Sequence, residues 1–261
     1  MKPHRMLTLA LCALALGACA TTPPVAERPL VTEDAQRQAR AHHGQGAANL
    51  KEGKIALAIR ELRAAVALNP NDPWIRLALG EAYRVRGMMG EAEHEVREAL
   101  VIDPNFQEAR LTLSAICIQS QRWSEALAEA QVLIDDATYT DVWMPLTNKG
   151  YALIQLGQLG EARTALELAS EVKEDYWRAY LNLGIVAALE GKKQEALAHF
   201  SKVVQHGRGT LGEAEANYRS AEIYIALGDE LRAIRHLLAA TERNPDGQWG
   251  RASAETLKRL Q

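Results

Sequence analysis

Aromatic side chains are scarce in this sequence: they make up 5% of its 261 residues, and only two of them are phenylalanines. Runs of β-branched residues are also few, whereas alanine, leucine and glutamate are plentiful. Sheets favour aromatic and β-branched residues, while helices favour alanine, leucine and glutamate. The composition therefore argues against a sheet and predicts an all-α fold.

An excess of positive charge is also absent. The formal net charge is −3, and the lysines and arginines are scattered along the chain rather than clustered. Proteins that bind nucleic acids present a basic face to the phosphate backbone, which supplies much of their affinity. We therefore expect no nucleic-acid partner.

The N-terminal residues are typical of a secretory signal peptide. Lys2 and Arg5 precede an uncharged apolar run from Met6 to Leu16, and small residues follow that run. The run is too short to span a bilayer as a helix of the mature protein, and its charged start and small-residue end are those of a cleaved signal.

The end of this signal resembles a bacterial lipobox. Residues 16–19 read Leu-Gly-Ala-Cys, the kind of motif at which bacterial lipoproteins are acylated on the cysteine thiol and cleaved just before it. Cys12 fits on spacing alone, but the bulky Leu11 before it does not suit a small-residue cleavage site. We therefore predict a signal peptide over 1–18 and a lipid on Cys19. The alternative is an ordinary secreted protein whose cysteine lies near the cleavage site by chance.

The resemblance to bacterial lipoproteins implies three acyl chains on Cys19, and no other cofactor is expected. Two or more acyl chains give stable attachment, whereas one gives only marginal binding. By the same resemblance, Ala20 implies sorting to the outer membrane. We expect the protein to face the periplasm, although the sequence does not determine the side. Residues 19–31 contain three prolines and are predicted to form a flexible, extended tether.

Cys117 is the only other cysteine in the predicted mature chain. An intramolecular disulfide is then impossible, even though the expected compartment is oxidising. We interpret Cys117 as a small core residue, with a reactive thiol as the alternative.

A period of 34 residues runs through the remainder of the chain. Alanine recurs in six copies, at spacings of 34, 34, 36, 34 and 37 residues: Ala58, Ala92, Ala126, Ala162, Ala196 and Ala233. A small residue stands at another phase in every copy: Gly46, Gly80, Ser114, Gly150, Gly184 and Ala221. A third phase holds Gly53, Gly87, Gln121, Gly157, Gly191 and Gly228. This length and pattern are those of the tetratricopeptide repeat (TPR), a pair of helices.

Each phase of the repeat has a mechanical reason. The small residue and the alanine are expected where the two antiparallel helices cross, because a larger side chain would force the backbones apart. The intervening glycine can adopt the left-handed conformation that ends the first helix. Between the first two copies, Asp72 can cap the next helix and Pro73 can occupy its first turn.

The predicted fold is an α-solenoid of six TPR helix pairs with a short C-terminal capping helix. The repeats occupy residues 32–247, in copies at about 39–72, 73–106, 107–140, 143–176, 177–210 and 214–247. Residues 248–261 are the predicted cap, which would cover the last exposed repeat. Copy three departs from the pattern at Gln121 and Thr138.

Catalytic and metal-binding motifs are not recognisable. His94 lies in a fragment of a zincin helix motif whose second histidine is missing, so no ligand pair shares that face. His42 and His43 are adjacent and point to different sides of a helix. The glycines at 44 and 46 follow no strand and do not form a dinucleotide loop. We therefore assign no catalytic residue and no metal site, and we do not expect an enzyme.

The candidate partner-binding groove is apolar. The inner surface of a TPR protein is lined mainly by the first helix of each repeat, and here that surface holds Trp74, Leu77, Val85, Leu111, Ile118, Met144, Tyr151, Ile154, Leu181 and Ile185. The alternative for any one of them is packing against a neighbouring helix. An apolar strip of this extent marks an interface with a protein client. The lysine and asparagine pattern of carboxylate-clamping TPR domains is missing, which favours a helix in the groove or an extended hydrophobic ligand.

The lipobox, the tether and the six repeats together resemble the type IV pilus pilotins, the PilF, PilW and Tgl proteins. The resemblance implies an outer-membrane lipoprotein that brings the secretin subunit to the outer membrane and promotes its assembly into the multimeric pore. Two rivals remain. One is another envelope scaffold, such as a barrel-assembly component or an adaptor for cell-wall enzymes; the other is an enzyme or regulator with an unrecognised site. We expect no small-molecule substrate.

Overall fold

The computed structural model describes residues 31–260, so the predictions for the signal peptide, for Cys19 and for most of the tether lie outside the described residues. The described part is helical, without strands. Its thirteen helices are α1 (Glu33–Lys51), α2 (Ile55–Leu68), α3 (Pro73–Arg86), α4 (Met89–Ile102), α5 (Gln107–Gln119), α6 (Trp123–Asp135), α7 (Trp143–Gln155), α8 (Leu159–Val172), α9 (Trp177–Leu189), α10 (Lys193–His206), α11 (Leu211–Ala226), α12 (Glu230–Arg243) and α13 (Gln248–Leu260).

The helices pair in chain order, α1 with α2 through α11 with α12, and α13 follows the sixth pair. Each first helix also contacts the first helix of the next pair, from α1 and α3 to α9 and α11. Within residues 31–260 the second helices make no such contact with one another. The first helices therefore line the inner side of a curved stack, and the predicted all-α solenoid of TPR pairs is confirmed.

Small residues lie at the helix crossings, as predicted. The six phase alanines are fully buried. A Cβ added to Gly46 or to Gly80 would lie 2.6 Å from a side chain of the facing second helix, Leu62 or Val96 respectively. Ser114, which has a Cβ, uses its hydroxyl to donate to the carbonyl oxygen of Ala126 at 3.1 Å. Close approach of the two backbones is thus the reason for this phase of the repeat.

The turn between the two helices of each repeat has the predicted left-handed residue. The five glycines of this phase have φ between 72° and 84°: Gly53, Gly87, Gly157, Gly191 and Gly228. Gln121 takes the same conformation in copy three, with φ of 58°, and it is the only non-glycine residue with positive φ among the described residues. The geometry of the turn therefore persists where the sequence departs from the pattern.

Gln121→Gly is expected to raise the free energy of unfolding by about 0.5–1 kcal/mol. The left-handed conformation costs a residue with a Cβ about 1–2 kcal/mol, and the greater freedom of glycine in the unfolded chain offsets part of that gain. Gln45 is exposed within α1, and Gln45→Gly is the matched control that should destabilise by about 1 kcal/mol. Urea denaturation followed by circular dichroism measures both. A lower unfolding midpoint for Gln121→Gly would contradict the strain at this turn.

Helices α1 and α3 begin directly after a residue whose side chain caps them. The Asp72 side chain accepts from the backbone nitrogens of Trp74 and Ile75, and Pro73 occupies the first turn of α3, as predicted. Helix α1 begins at Glu33, earlier than the start of the repeat pattern at residue 39, because the Thr32 side chain caps it by accepting from the nitrogen of Ala35.

Three extra residues separate copies five and six, where the loop over 207–210 leads into the first turn of α11. The Gly209 nitrogen donates to Glu213 Oε2 at 2.7 Å, and Arg243 pairs with the other oxygen of this buried carboxylate at 3.0 Å. The ring of Trp177 packs against Gly212, where an added Cβ would overlap with it. The insertion therefore holds Trp177, the first residue of α9, in place.

Helix α13 covers the last pair, as predicted for a cap. It packs against α11 and α12. The ring of Trp249 lies 5.3 Å from that of Tyr218, and the Arg219 guanidinium lies 5.2 Å from the Trp249 ring. These contacts shield the end of the stack from solvent.

Candidate protein-binding groove

The inner side of the stack is formed by the first helices of the repeats, and we call this surface the groove. The ten residues predicted to line the groove all lie on four consecutive first helices, α3, α5, α7 and α9. Their side chains differ widely in how much surface they offer to a partner.

Two of the ten side chains are open to solvent, namely Trp74, which is 54% exposed, and Val85, which is 53% exposed. Five are half-buried: Leu111, Ile118, Met144, Tyr151 and Ile185. The other three, Leu77, Ile154 and Leu181, are each 8% exposed and belong to the hydrophobic core. For these three, packing between helices is the main role, which was the alternative that the sequence left open. Partner binding by the set stays a prediction.

Trp74 lies in the first turn of α3, at the start of copy two, and contacts the last residue of that copy. Its ring meets that of Phe106 edge to face, with the centroids 4.6 Å apart, and Phe106 itself is buried. Edge-to-face pairs fix the orientation of an aromatic ring. One part of the indole is thus anchored while the other faces solvent.

A cavity of about 210 Å³ opens in the groove between α5, α7 and α9, and we call it the groove cavity. It brings together three predicted residues from three successive repeats, Ile118, Tyr151 and Leu181. Five further residues line it: Thr147, Asn148, Trp177, Arg178 and Asn182. The groove cavity therefore combines aliphatic and aromatic walls with several polar side chains.

The polar residues of the groove cavity are two asparagines, one arginine, and the hydroxyl-bearing Thr147 and Tyr151. The Asn148 Nδ2 donates to the Ser114 hydroxyl at 3.3 Å, and Asn182 stands one period further along the chain. The Arg178 guanidinium lies 5.1 Å from the Trp177 ring, and no carboxylate within residues 31–260 pairs with it. Amide side chains both donate and accept hydrogen bonds. This arrangement can hold the backbone of a peptide while the apolar walls hold a side chain.

A second cavity, of about 270 Å³, lies between α9 and α11. Ile185 is the predicted groove residue that lines it, together with Leu189, Ile223 and Arg219. Arg219, which pairs with Glu215 at 2.8 Å, is one of three charged lining residues with Lys193 and Glu222, and the rest of the lining is apolar. The apolar character of the groove therefore continues into the sixth repeat.

Sequence reasoning missed Asn148, Trp177, Arg178 and Asn182. A signal was present for the two asparagines, because they lie 34 residues apart and each precedes the small residue of its first helix by two positions. No periodic signal marks Trp177, whose ring packs against Gly212 in the first turn of α11.

The residues that the sequence offered as candidates for chemistry or metal binding do not form a reactive or metal-binding cluster among the described residues. Cys117 is fully buried, and burial raises the pKa of its thiol to about 11, so it is a core residue as predicted. The His42 ring nitrogen Nδ1 lies 2.8 Å from a carboxylate oxygen of Glu61. Over residues 31–260, no three His, Cys, Asp or Glu side chains are placed to hold a metal ion. None of the described helices combines the length and apolar character needed to cross a membrane.

Comparison with protein families identifies the repeat. A TPR repeat model matches residues 46–84, and two tetratricopeptide repeat models match residues 147–210 and 214–246. Together with the six helix pairs, these matches show that the chain belongs to the tetratricopeptide repeat family. The fold of this family is typical of protein–protein interaction scaffolds, which indicates a protein partner in general.

Among solved structures, PilW, a type IV pilus biogenesis factor, superposes with a TM-score of 0.71 at 20% identity, over 82% of this chain and 97% of that one. PilF of Pseudomonas aeruginosa superposes with a TM-score of 0.68 at 16% identity, over 86% of this chain and all of that one. At these identities the similarity shows the fold.

The chain is also 25% identical over 253 residues to cellulose synthase operon protein C of Xanthomonas axonopodis pv. citri, which covers 91% of this chain and 17% of that protein. The chain spans less than a fifth of the length of this and of another curated relative.

Proposed function

We propose that the chain is a pilotin, a lipid-anchored outer-membrane scaffold. In this proposal it binds a subunit of the type IV pilus secretin in the groove and promotes the localisation and multimer assembly of that subunit. The observation that carries the proposal is the groove cavity, where apolar walls from three repeats surround amide groups and a cation without a carboxylate partner.

The similarity in fold to PilW and PilF supports this proposal. The superposition extends over 97% of PilW and all of PilF, and over 82% and 86% of this chain, so the similarity in fold covers most of the helical stack. Many TPR proteins share the repeat but differ in length and curvature, and both properties determine the shape of the groove. A matching stack therefore presents a similar concave surface.

The dimensions of the groove cavity favour a protein client. Its volume of about 210 Å³ is below the ~300–1,000 Å³ of pockets that hold drug-sized ligands. A single large side chain of a client suits such a space, and burying one stabilises a complex by about 1.5–3 kcal/mol. The remaining affinity would come from the open surface around Trp74.

In this proposal the lipid determines where the protein is located. Three acyl chains on Cys19 would hold the scaffold at the outer membrane, and the tether over 19–31 would let the repeats reach a client in the periplasm. The scaffold then needs no chemistry of its own, because bringing the secretin subunits to one membrane raises their local concentration.

Cys19→Ser tests both halves of the proposal in cells. We expect a protein that incorporates no labelled palmitate, leaves the outer-membrane fraction, and no longer brings secretin multimers to that membrane. The measurements are metabolic labelling with palmitate, membrane fractionation and a blot for heat-stable secretin oligomer. Cys117→Ser is the matched control, and it should retain the label and the location.

Continued labelling or outer-membrane fractionation of Cys19→Ser would contradict the lipid anchor. If the wild-type protein is anchored but deleting its gene leaves the secretin multimers unchanged, the pilotin assignment is contradicted. That second result would favour another envelope scaffold, either a barrel-assembly component or an adaptor for cell-wall enzymes.

A further inference from the structure

A larger cavity lies outside the groove, at the side of the first two repeats. It has a volume of about 550 Å³ and opens between α2 and the C-terminal end of α3. Three arginines line it, Arg60, Arg63 and Arg86, and we call it the arginine cavity. It shares no lining residue with the groove cavity.

Two of these arginines have no acidic partner. Arg60 pairs with Glu61 at 2.7 Å, but within residues 31–260 no carboxylate lies within ion-pair distance of Arg63 or Arg86. Most arginines in this part of the chain are paired, as Arg76 is with Glu95 at 2.7 Å. Two uncompensated positive charges therefore face one cavity, in a chain whose formal net charge is −3.

The remaining lining of the arginine cavity is largely apolar. Ile59, Met88 and the ring of Tyr83 contribute to it, and Tyr83 is 9% exposed. Arginine binds carboxylates through two parallel hydrogen bonds, and this pairing strengthens where nearby apolar surface limits access of water. A ligand that fits therefore combines separated negative charges with an apolar group.

We propose that the arginine cavity binds an acidic peptide segment of a partner protein, with one apolar side chain flanked by carboxylates. The two arginines without an acidic partner belong to different helices, Arg63 to α2 and Arg86 to α3, so their charges are separated across the cavity. In a peptide, carboxylates on either side of an apolar residue can pair with Arg63 and Arg86 at the same time. A lipid headgroup concentrates its charge at one point and matches this arrangement poorly.

This site is independent of the groove. Because the two cavities share no lining residue, a client held in the groove cavity leaves the arginine cavity accessible. The scaffold can then hold a second partner, or a second segment of the same partner, while the groove is occupied. The inference does not depend on the identity of the groove client.

Fluorescence polarisation with two labelled peptides tests the proposal. The probes are the acidic peptide GDEFEDG and its amide counterpart GNQFQNG, titrated with the full chain carrying Cys19→Ser to prevent lipidation. We expect the acidic peptide to bind, and the amide peptide to bind roughly tenfold more weakly or worse, because each hydrogen bond to a charged group is worth about 1.5–3 kcal/mol.

The double variant Arg63→Gln, Arg86→Gln should weaken binding of the acidic peptide by roughly tenfold or more. Arg208 and Arg251 are also exposed and unpaired among the described residues, so Arg208→Gln, Arg251→Gln is a control with the same change in charge and should bind normally. Circular dichroism checks the fold of each variant, and Arg63→Gln alone replaces the double variant if that one unfolds.

Three results would overturn the proposal: no binding of the acidic peptide, equal binding of both peptides, or an equal loss in the control variant. Vesicles of phosphatidylglycerol in phosphatidylcholine form a separate arm. Binding to these vesicles that requires Arg63 and Arg86, without binding to the acidic peptide, would assign the cavity to anionic lipid and would also overturn the proposal.

Discussion

Replacing Ala92 with leucine is expected to lower the free energy of unfolding by about 1–3 kcal/mol, whereas Glu91→Ala should change it by less than about 0.5 kcal/mol. Ala92 is fully buried where α4 crosses α3, and a Cβ added to the facing Gly80 would already lie 3.1 Å from the Ala92 carbonyl oxygen. Three additional carbon atoms cannot fit there without moving the helices apart. Glu91 is exposed on the same helix.

Thermal and urea denaturation of the two variants, followed by circular dichroism, measures this difference. The two positions are adjacent in the same turn of α4, so the variants differ mainly in whether the buried or the exposed face of the helix is changed. Unfolding midpoints that are equal within error would mean that the crossing tolerates a larger side chain. The assignment of this phase of the repeat to the helix crossing would then be wrong.

The second large effect is expected in the groove. The double variant Tyr151→Ser, Arg178→Ser should stay folded but reduce heat-stable secretin oligomer in cells by roughly tenfold or more, because interface energy concentrates in aromatic and arginine anchors worth about 2 kcal/mol or more each. Both residues line the groove cavity. Leu77 is unsuitable for such a test, because it is 8% exposed within the core and its loss would destabilise the fold.

The matched control removes one aliphatic side chain and one arginine from second helices. Leu168 on α8 is 46% exposed, and Arg235 on α12 is exposed. Leu168→Ser, Arg235→Ser should leave secretin multimers and pilus-dependent motility unchanged. Circular dichroism of both purified proteins is required, because a melted solenoid would abolish assembly for an unrelated reason. Normal multimers with a folded groove variant would contradict the pilotin proposal.

The fold could be predicted because the repeat pattern reports backbone geometry. Gly80 and Ala92 are small where two helices cross, and Gly87 allows the left-handed turn between them. These requirements depend on residues close in sequence and recur in every copy. Even Gln121 occupies the expected turn, since the neighbouring helices impose its conformation.

The lining of the groove was harder to predict, because exposure depends on the neighbouring repeat. Trp74 and Leu77 lie three residues apart on α3, yet one is 54% exposed and the other 8% exposed. The presence of Trp177 in the groove cavity depends on the insertion around Gly212. Such contacts join residues of different repeats whose distances vary with each inserted residue, so the period alone does not contain them.

Polar contacts between the two helices of a repeat were also missed, although they recur in the first three copies. Arg76 pairs with Glu95 at 2.7 Å and Arg110 with Glu129 at 2.8 Å, each across 19 residues between the two helices of one repeat. His42 approaches Glu61 in the same way in the first repeat. The partners are charged residues on helix surfaces, and without the helix pairing they cannot be distinguished from solvated side chains.

Site-specific photo-crosslinking in cells tests most directly whether the groove holds the secretin. A benzoylphenylalanine at position 151, in the groove cavity, is compared with one at position 168, on the exposed face of the second helix α8. The account predicts a light-dependent adduct with the secretin subunit from position 151 and none from position 168, identified by mass spectrometry. A secretin adduct of equal yield from both positions, or none from position 151 in a folded and anchored protein, would contradict it.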